Sequence, residues 1–456
     1  MSATRKINML EGSLWDKLIV FALPLAFTGL LQQLYNAADV AVLGRFVSDL
    51  AVAAVGNNVP VFGLIISFCM GLSIGVNVVV ARALGMKNDQ KASEAVRTSF
   101  ITAIVFGIFA LLIGQAFANS AMDWLDVPEE VRDYALIYLR VYLLGMPFIA
   151  IYNFLAAVFR SQGDTQTPLW ALLIASLFNI GGNLFAVLVL DWGVAGVALA
   201  TALANLLSAV ILFVKLTHLD GPLKLEVSQL LKVDGASLKS IVRIGLPAGV
   251  QGAVYALSNL VIQSAINSLG PEAMAGSVAA FTIENSVYCF INAFALSATT
   301  FVSQNYGARN LERCSRVMWV TMGLNMCATV LLTAGVLIFC RDLLGIFSSN
   351  EEVLALGMIR ILWVLVPQPL SVVMDTLSGS MRGYGYSMPP AMVTLVVVYS
   401  VRLIWVYTVF PLAPTYETLM MVYPLSWVIT MAGLIILYVR LLRRIRNRRQ
   451  MVEEAI

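Results

Sequence analysis

Apolar runs of about 20 residues or more, enough for a helix to cross a hydrocarbon layer roughly 30 Å thick, recur along the whole chain and are parted by short polar intervals. They predict twelve transmembrane helices, at about 15–43, 52–82, 93–119, 132–160, 168–190 and 194–217, then 238–268, 274–305, 315–340, 353–382, 388–410 and 417–442. The implied fold class is an all-α membrane protein with no room for a sizeable soluble domain. The first run, from Leu18 to Leu43, follows Arg5, Lys6 and Lys17 and is too long for a signal-peptide core, so it reads as a span and not a cleaved leader.

The stretch from His218 to Leu238, with Gly221, Pro222, Asp234 and Gly235, is the longest polar interval and divides the chain nearly in half. Residues 1–217 then form an N-terminal six-helix lobe, 218–237 a cytoplasmic linker, and 238–456 a C-terminal six-helix lobe with a basic tail. Sliding one half over the other at an offset near 222 brings Gly85 onto Gly307, Asn88 onto Asn310, Pro147 onto Pro369, Arg160 onto Arg382, Gly163 onto Gly385 and Pro168 onto Pro390. Near the first span the offset is 223, and Leu23, Pro24, Gly29 and Asn36 fall on Leu246, Pro247, Gly252 and Asn259. An internal duplication follows. Two like lobes entering the membrane in the same sense suit alternating access around a binding site.

Charge adds orientation. Arg82, Lys87, Lys91, Arg97, Arg160, Lys215, Lys224, Lys232, Lys239, Arg243, Arg309, Arg313, Arg316, Arg382 and the tail from Arg440 to Arg449 all fall on the side of the N-terminus. Asp123, Asp126, Glu129, Glu130, Asp191, Glu272, Glu351, Glu352 and Glu417 fall opposite. By the positive-inside rule both termini are cytoplasmic. The chain is 59% hydrophobic and 12% charged with a formal net charge of +3, which gives nucleic-acid binding no support. Five scattered cysteines suggest packing rather than a disulfide framework or a metal cluster. Without a His-rich metal motif, a nucleotide-binding loop or a nucleophile signature, the chain does not read as an enzyme. The single histidine, His218, ends the sixth span and is not expected to relay protons.

A charged group at bilayer depth costs at least about 2.5–3.5 kcal/mol on insertion scales, so an intramembrane acid is read as functional until a partner explains it. Asp39 leads. Gln32, Asn36 and Asp39 form a polar stripe on the first span, Ser176, Asn179 and Asn183 one on the fifth, and Thr201, Asn205 and Ser208 one on the sixth. The three stripes can converge on one site. The duplication superposes Asp39 on Ile262, Asn179 on Val401, Asn183 on Trp405, Thr201 on Tyr423 and Asn205 on Trp427, so the cluster belongs to the first half alone and cation coupling is assigned there. The alternative for Asp39 is a hydrated group where the first span frays into Gly44 and Arg45. Pro24, eight to fifteen residues before this stripe, either hinges the helix or fixes a static kink.

In the second half, Glu284, Asp375 and Arg402 are the charges read as lying well inside spans. Glu284 is expected to pair with Arg402 or to bind substrate. Tyr288, Met374, Tyr399, Trp405, Tyr407, Met420, Tyr423 and Trp427 make this half rich in aromatics and thioethers. Such side chains bind apolar cations through dispersion and cation–π contacts. Glu284, Tyr288, Met374, Asp375 and Tyr399 are the candidate substrate-cavity residues.

Four motifs, taken in order, resemble the multidrug and toxic compound extrusion (MATE) family over nearly the full length. They are Leu34-Tyr35-Asn36-Ala37-Ala38-Asp39, Ala81-Arg82-Ala83-Leu84-Gly85, Gln304-Asn305-Tyr306-Gly307-Ala308 and Met381-Arg382-Gly383-Tyr384. The resemblance implies twelve helices in two lobes and export driven by protons or sodium ions, and Asp39 resembles the acid of the DinF-like branch. That branch pairs it with an Asn and an acid four residues apart on the fifth helix and a Thr on the sixth. Asp39, Asn179 and Thr201 fit; Asn183 stands where the second acid is expected. The lone carboxylate can carry a proton, since burial disfavours its charged form, or ligate sodium together with Asn179 and Thr201; the proton is favoured. Asn36 joins Asp39, Asn179, Asn183 and Thr201 as candidate coupling residues. The NorM-like acid of the tenth helix would fall near Ser371, so that site is not carried over.

The expected function is secondary active export of lipophilic, often cationic, small molecules by a monomer in a bacterial inner membrane. Its partners are substrate and membrane lipids, with no cofactor beyond the coupling ion. The alternative is a lipid or lipid-linked glycan flippase. That reading calls for a strongly cationic central cavity, for which Arg402 alone is too little. A gated channel lacks the expected repeated pore-loop signature.

Overall fold

The computed structural model describes residues 7–125 and 127–454. Arg5, Lys6 and Asp126, used above in the leader and charge arguments, lie outside the described residues, as do the side chains of Arg448 and Arg449. The chain is all-α among the described residues. The first half carries α1 (Trp15–Phe46), α2 (Asp49–Gly85), α3 (Asp89–Trp124), α4 (Glu129–Leu144), α5 (Met146–Ser161), α6 (Gln166–Leu188) and α7 (Gly193–Thr217). The second carries α8 (Gly235–Asn267), α9 (Pro271–Gly307), α10 (Leu311–Ile338), α11 (Cys340–Gly345), α12 (Glu351–Arg360), α13 (Gln368–Gly383), α14 (Met388–Ile404), α15 (Tyr416–Met420) and α16 (Val422–Glu454).

Ten helical stretches among the described residues are long and apolar enough to cross a membrane, and two bent pairs, α4 with α5 and α12 with α13, bring the spans to twelve. The fold is therefore twelve transmembrane helices in two six-helix lobes related by duplication. Each bend has a local cause. The α4–α5 break of 45° falls at Gly145, beside Pro147, and the α12–α13 break of 43° falls at Pro367, beside Pro369; a proline removes a backbone donor and crowds the preceding turn. The fourth and tenth spans are thus helix pairs where the hydrophobic pattern predicts single helices. Other helices outrun their apolar runs because polar side chains cap them: Ser48 accepts from Ala51 N at 3.2 Å and Asn88 from Lys91 N at 2.9 Å.

The duplication is visible in the backbone itself. Lys87 and Arg309, which the repeat superposes, are both left-handed with φ of 51° and 60°, and Gly163 and Gly385 share φ of 92° and 84°. Asn310 caps α10 by accepting from Arg313 N at 3.0 Å, just as Asn88 caps α3. Gly85 and Gly307 also share a role: a Cβ on Gly85 would sit 1.9 Å from the Gln304 carbonyl oxygen, and one on Gly307 2.3 Å from that of Arg82. Only a hydrogen fits at either position, which accounts for the paired glycine motifs.

Contacts divide the chain into two compact units. The first is Met1–Gly12, Leu23–Gly249 and Ser303–Arg309, and the second is Ser13–Ala22, Val250–Val302 and Asn310–Ile456. In the first unit α6 packs along α7, α3 along α5, and α2 against α4 and α5. Phe154, Leu155, Phe159, Leu139, Leu143 and Met146 are fully buried there. In the second unit α16 packs on α13 and α14, and α10 on α13. The polar stretch after α7 is not a loose tether. Leu223 and Leu225 are buried, Leu225 N donates to Leu216 O at 3.1 Å, and Asp234 N donates to Thr98 Oγ1 at 2.9 Å. Asp234 also accepts from Ser237 N at 2.7 Å, and hydrogen bonding from Ser237 holds its carboxyl below the usual carboxylate range.

The α6–α7 pairing that carries most of the polar stripes depends on Gly196, where a Cβ would sit 2.8 Å from the Ala186 Cβ. Gly196→Val should force these helices apart at a cost of about 1–3 kcal/mol and lower the thermal midpoint of purified protein; an unchanged midpoint would contradict the close-packing account.

Candidate functional site

Asp39, on α1, is 2% exposed and lies seven residues before the end of a helix that continues to Phe46. Fraying does not hydrate it. Asn183 Nδ2 donates to Asp39 Oδ1 at 2.6 Å and Thr201 Oγ1 donates to Asp39 Oδ2 at 2.8 Å. Behind these, Asn179 Nδ2 donates to Thr201 Oγ1 at 3.1 Å and Asn183 Nδ2 reaches Asn179 Oδ1 at 3.2 Å. Asn179 and Asn183 stand one helical turn apart on α6, and Thr201 faces them from α7, so three helices supply one connected network. The oxygens of Asp39, Asn179, Thr201 and Asn183 are the groups that can meet a small cation, and in this arrangement the first three residues' oxygens are already hydrogen-bonded. Asn183 Oδ1 is buried without a hydrogen-bond partner among the described residues.

Not every residue of the predicted stripes reaches the network. Asn36 is exposed on α1, and the assignment of Asn36 to this cluster is corrected: the helix turns it away while its neighbour Tyr35 turns in. The Tyr35 hydroxyl donates to the Thr201 carbonyl at 3.0 Å. Tyr35 was legible, being four residues before Asp39 on the same face, but its apolar ring hid it in the hydrophobic pattern. Asn205 Nδ2, Ser208 Oγ and Ser176 Oγ each bond a carbonyl of their own helix, at 2.9, 2.8 and 2.9 Å. Tyr138 and Tyr142 of α4 lie within electrostatic range of Asp39, and Phe62 packs on Tyr142 with ring centroids 4.0 Å apart. Aromatic rings thus gather in the neighbourhood of the acid, which residue type alone does not announce.

The second unit holds a cavity of about 330 Å³, lined by Tyr255, Asn259, Glu284, Tyr288, Arg360 and Asp375, with Arg402, Tyr423 and Trp427 among the others. Glu284 does not pair with Arg402. Its carboxylate is held in a fork by Arg360, with Nε donating at 3.0 Å and Nη2 at 3.1 Å, while Arg360 Nη1 donates to Ser277 Oγ at 2.9 Å. The Tyr416 hydroxyl donates to the same Ser277 Oγ at 2.8 Å. Arg360 was missed in the sequence although it stands inside the tenth predicted span, where a basic residue is itself a signal. Arg402 instead donates through Nη1 to Asn259 Oδ1 at 2.8 Å and lies over the Tyr423 ring, 4.7 Å from its centroid. Two further candidates are corrected: Met374 is buried away from the cavity and Tyr399 is 38% exposed, and neither is among the lining residues. Helix phase explains Met374, since Asp375 and Ser371 of α13 face the cavity four residues apart and Met374 is one step out of that phase.

Duplicated six-helix lobes, each with polar groups buried within its own bundle, define a polytopic membrane transporter. The profile of the MatE family matches residues 24–185 and 247–408, one match per repeat, and the chain belongs to this family, the MATE transporters, whose members are not enzymes. It is 27% identical over 404 residues to the probable multidrug resistance protein YoeA of Bacillus subtilis, covering 86% of each chain. It is likewise 27% identical to the probable multidrug resistance protein NorM of Thermotoga maritima, covering 85% of this chain and 84% of that one. Among solved structures it resembles a MATE bound to MaL6, with a TM-score of 0.88 at 20% identity over 98% of this chain and 100% of that one. A MOP superfamily transporter from Pyrococcus furiosus gives a TM-score of 0.87 at 22% identity over 98% and 99%.

The Glu284–Arg360 pair makes its own prediction. Removing one partner strands a buried charge, so Arg360→Met should destabilise the protein by about 3–5 kcal/mol, and Glu284→Leu combined with Arg360→Met should recover most of that loss. A double variant no more stable than the single one in thermal denaturation would contradict the pairing.

Proposed function

We propose that the chain is a secondary active exporter that exchanges lipophilic, often cationic, compounds for an inward-moving cation by alternating access, with Asp39 as the coupling group and the proton as the ion. The observation that carries the reading is the burial of Asp39 among neutral hydrogen-bonding partners. An ionised Asp39 is served by donors from Asn183 and Thr201. A protonated one is served as well, because turning the Asn183 amide over presents its unpartnered Oδ1 to the new hydroxyl; at 2.6 Å, that contact suits an O–H···O bond as readily as a charge-assisted N–H···O bond. Amide orientation follows from the hydrogen-bond network, and a single rotation of Asn183 accommodates the added proton while giving up its 3.2 Å contact with Asn179 Oδ1.

Asn183 in place of a second acid supports the proton over sodium. Sodium at Asp39, Asn179 and Thr201 would have one carboxylate and would break hydrogen bonds those oxygens already make. The names of the relatives, multidrug resistance proteins, support small-compound export over lipid flipping. The sorting of Lys and Arg supports cytoplasmic termini, and the bacterial relatives an inner-membrane location. The protein acts as a monomer among membrane lipids, because substrate cavity and coupling group are both built from one chain.

Asp39→Asn removes the titratable group and keeps its size. In proteoliposomes with an imposed proton gradient, this variant should lose efflux of a fluorescent lipophilic cation nearly completely while retaining binding of the same dye in detergent. Undiminished efflux at matched abundance would move the coupling role to another acid.

A further inference from the structure

The turn between α13 and α14 and the basic end of α16 enclose another cavity of the second unit, about 160 Å³ in volume. It shares no lining residue with the larger cavity described above. Its wall divides by chemistry. Met381 and Leu441 are buried and Leu437 is half-buried, whereas Arg440 and Arg444, one helical turn apart on α16, are exposed. Tyr386 borders the same space from the α13–α14 turn. No acidic side chain lines it, and neither arginine joins an ion pair among the described residues.

The duplication shows what fills such a place. At the offset of 222, Phe159 stands where Met381 stands and Leu219 where Leu441 stands. In the first half α7 ends at Thr217 and the chain turns back, so that Leu223 and Leu225 join Phe159, Leu212 and Leu216 in one buried core, with Leu219 packed against it. The Leu225 N–H donates to Leu216 O at 3.1 Å and fixes that return. In the second half α16 runs on as one helix through Glu454, and no later segment among the described residues returns over Met381 and Leu441, which border the cavity instead. The halves also differ in charge here, with Arg440 in place of His218 and Arg444 in place of Pro222. An apolar cleft that the chain covers with its own leucines in one half is open in the other, flanked by two guanidiniums.

At about 160 Å³ the cavity falls below the range of sites for drug-sized molecules, which sets it apart from substrate binding. Two guanidiniums on successive turns offer planar donor forks to a single phosphate, and their aliphatic stems lie along apolar surface. A basic pocket at the end of a membrane helix is matched by the anionic headgroups of the cytoplasmic leaflet. We infer that this cleft binds an anionic phospholipid, with the phosphate held by Arg440 and Arg444 and an acyl chain seated on Met381, Leu437 and Leu441. The lipid then does for α16 what Leu223 and Leu225 do for α7, joining the last helix of a lobe to the fourth. Placing that lipid in the inner leaflet rests on the proposed cytoplasmic termini; the site itself does not.

The test is native mass spectrometry of the full-length protein released from detergent micelles that contain equal amounts of phosphatidylglycerol and phosphatidylcholine. The wild type should retain phosphatidylglycerol in preference to phosphatidylcholine. Arg440→Gln combined with Arg444→Gln should weaken that binding about tenfold or more, since each basic group at an anionic surface contributes roughly a fivefold change. Leu437→Trp, which fills the apolar part and leaves both arginines in place, should weaken it as well. Arg443→Gln combined with Arg446→Gln, basic residues of the same helix that do not line the cavity, should weaken it less than about threefold. The inference is overturned if the wild type shows no preference for phosphatidylglycerol, if the two arginine pairs weaken binding alike, or if Leu437→Trp binds undiminished. Competition by soluble glycerol phosphate as effective as that by the lipid would also overturn it, by making this a site for free phosphate. The wild-type preference is read even where a variant fails to fold. A C-terminus cleaved by protease added outside intact cells would count against the orientation alone and move the same site to the outer leaflet.

Discussion

Everything in the first unit is arranged around the requirement that the carboxyl of Asp39, inside a membrane span, never be without hydrogen-bond partners. Water cannot serve a group that is 2% exposed. The donors must come from other helices. Asn183 and Thr201 supply them, which requires α6 and α7 to approach closely, which in turn requires Gly196 at their contact. Sequence, packing and chemistry are linked through one acid.

Duplication supplied the same scaffold twice, and the two halves have since been given different interiors. Lys87 and Arg309, Asn88 and Asn310, Gly163 and Gly385 still hold equivalent backbone positions, because helix starts and left-handed turns are fixed by geometry that does not depend on what the lobe binds. The interiors are free of that constraint. Where the first half places Asn179, Asn183 and Thr201, the second places Val401, Trp405 and Tyr423. Its charges are the Glu284–Arg360 fork, Asp375, and the lone guanidinium of Arg402. One interior holds a hydrogen-bonded carboxyl cluster and the other a charged cavity lined in part by aromatic rings.

The fold was legible because lipid imposes a simple rule, apolar runs of membrane length, and the repeat fixed the count. The meeting of Asp39 with Asn179, Asn183 and Thr201 was legible because each stripe repeats at helical spacing. What failed were choices between neighbours on one helix. Asn36 was preferred to Tyr35, and Met374 was placed in a cavity that Ser371 and Asp375 line, because period counting tolerates an error of one residue that the helix does not. Glu284 pairs with Arg360 and not Arg402, because partners across a bundle are set by helix order and rotation, which spacing along the chain does not encode. Tyr138 and Tyr142 carry no signal of their place near Asp39, since a ring inside the bundle and a lipid-facing ring look alike in sequence.

Coupling through Asp39 requires that it exchange a proton as substrate arrives. The most direct measurement is the proton released into lightly buffered detergent solution when a lipophilic cation binds the purified protein, followed with a pH indicator. About one proton per bound dye is expected where Asp39 starts protonated, as for one titrating carboxyl, with no release in Asp39→Asn and no dependence on sodium. Binding without proton release, or release replaced by a sodium requirement, would contradict it.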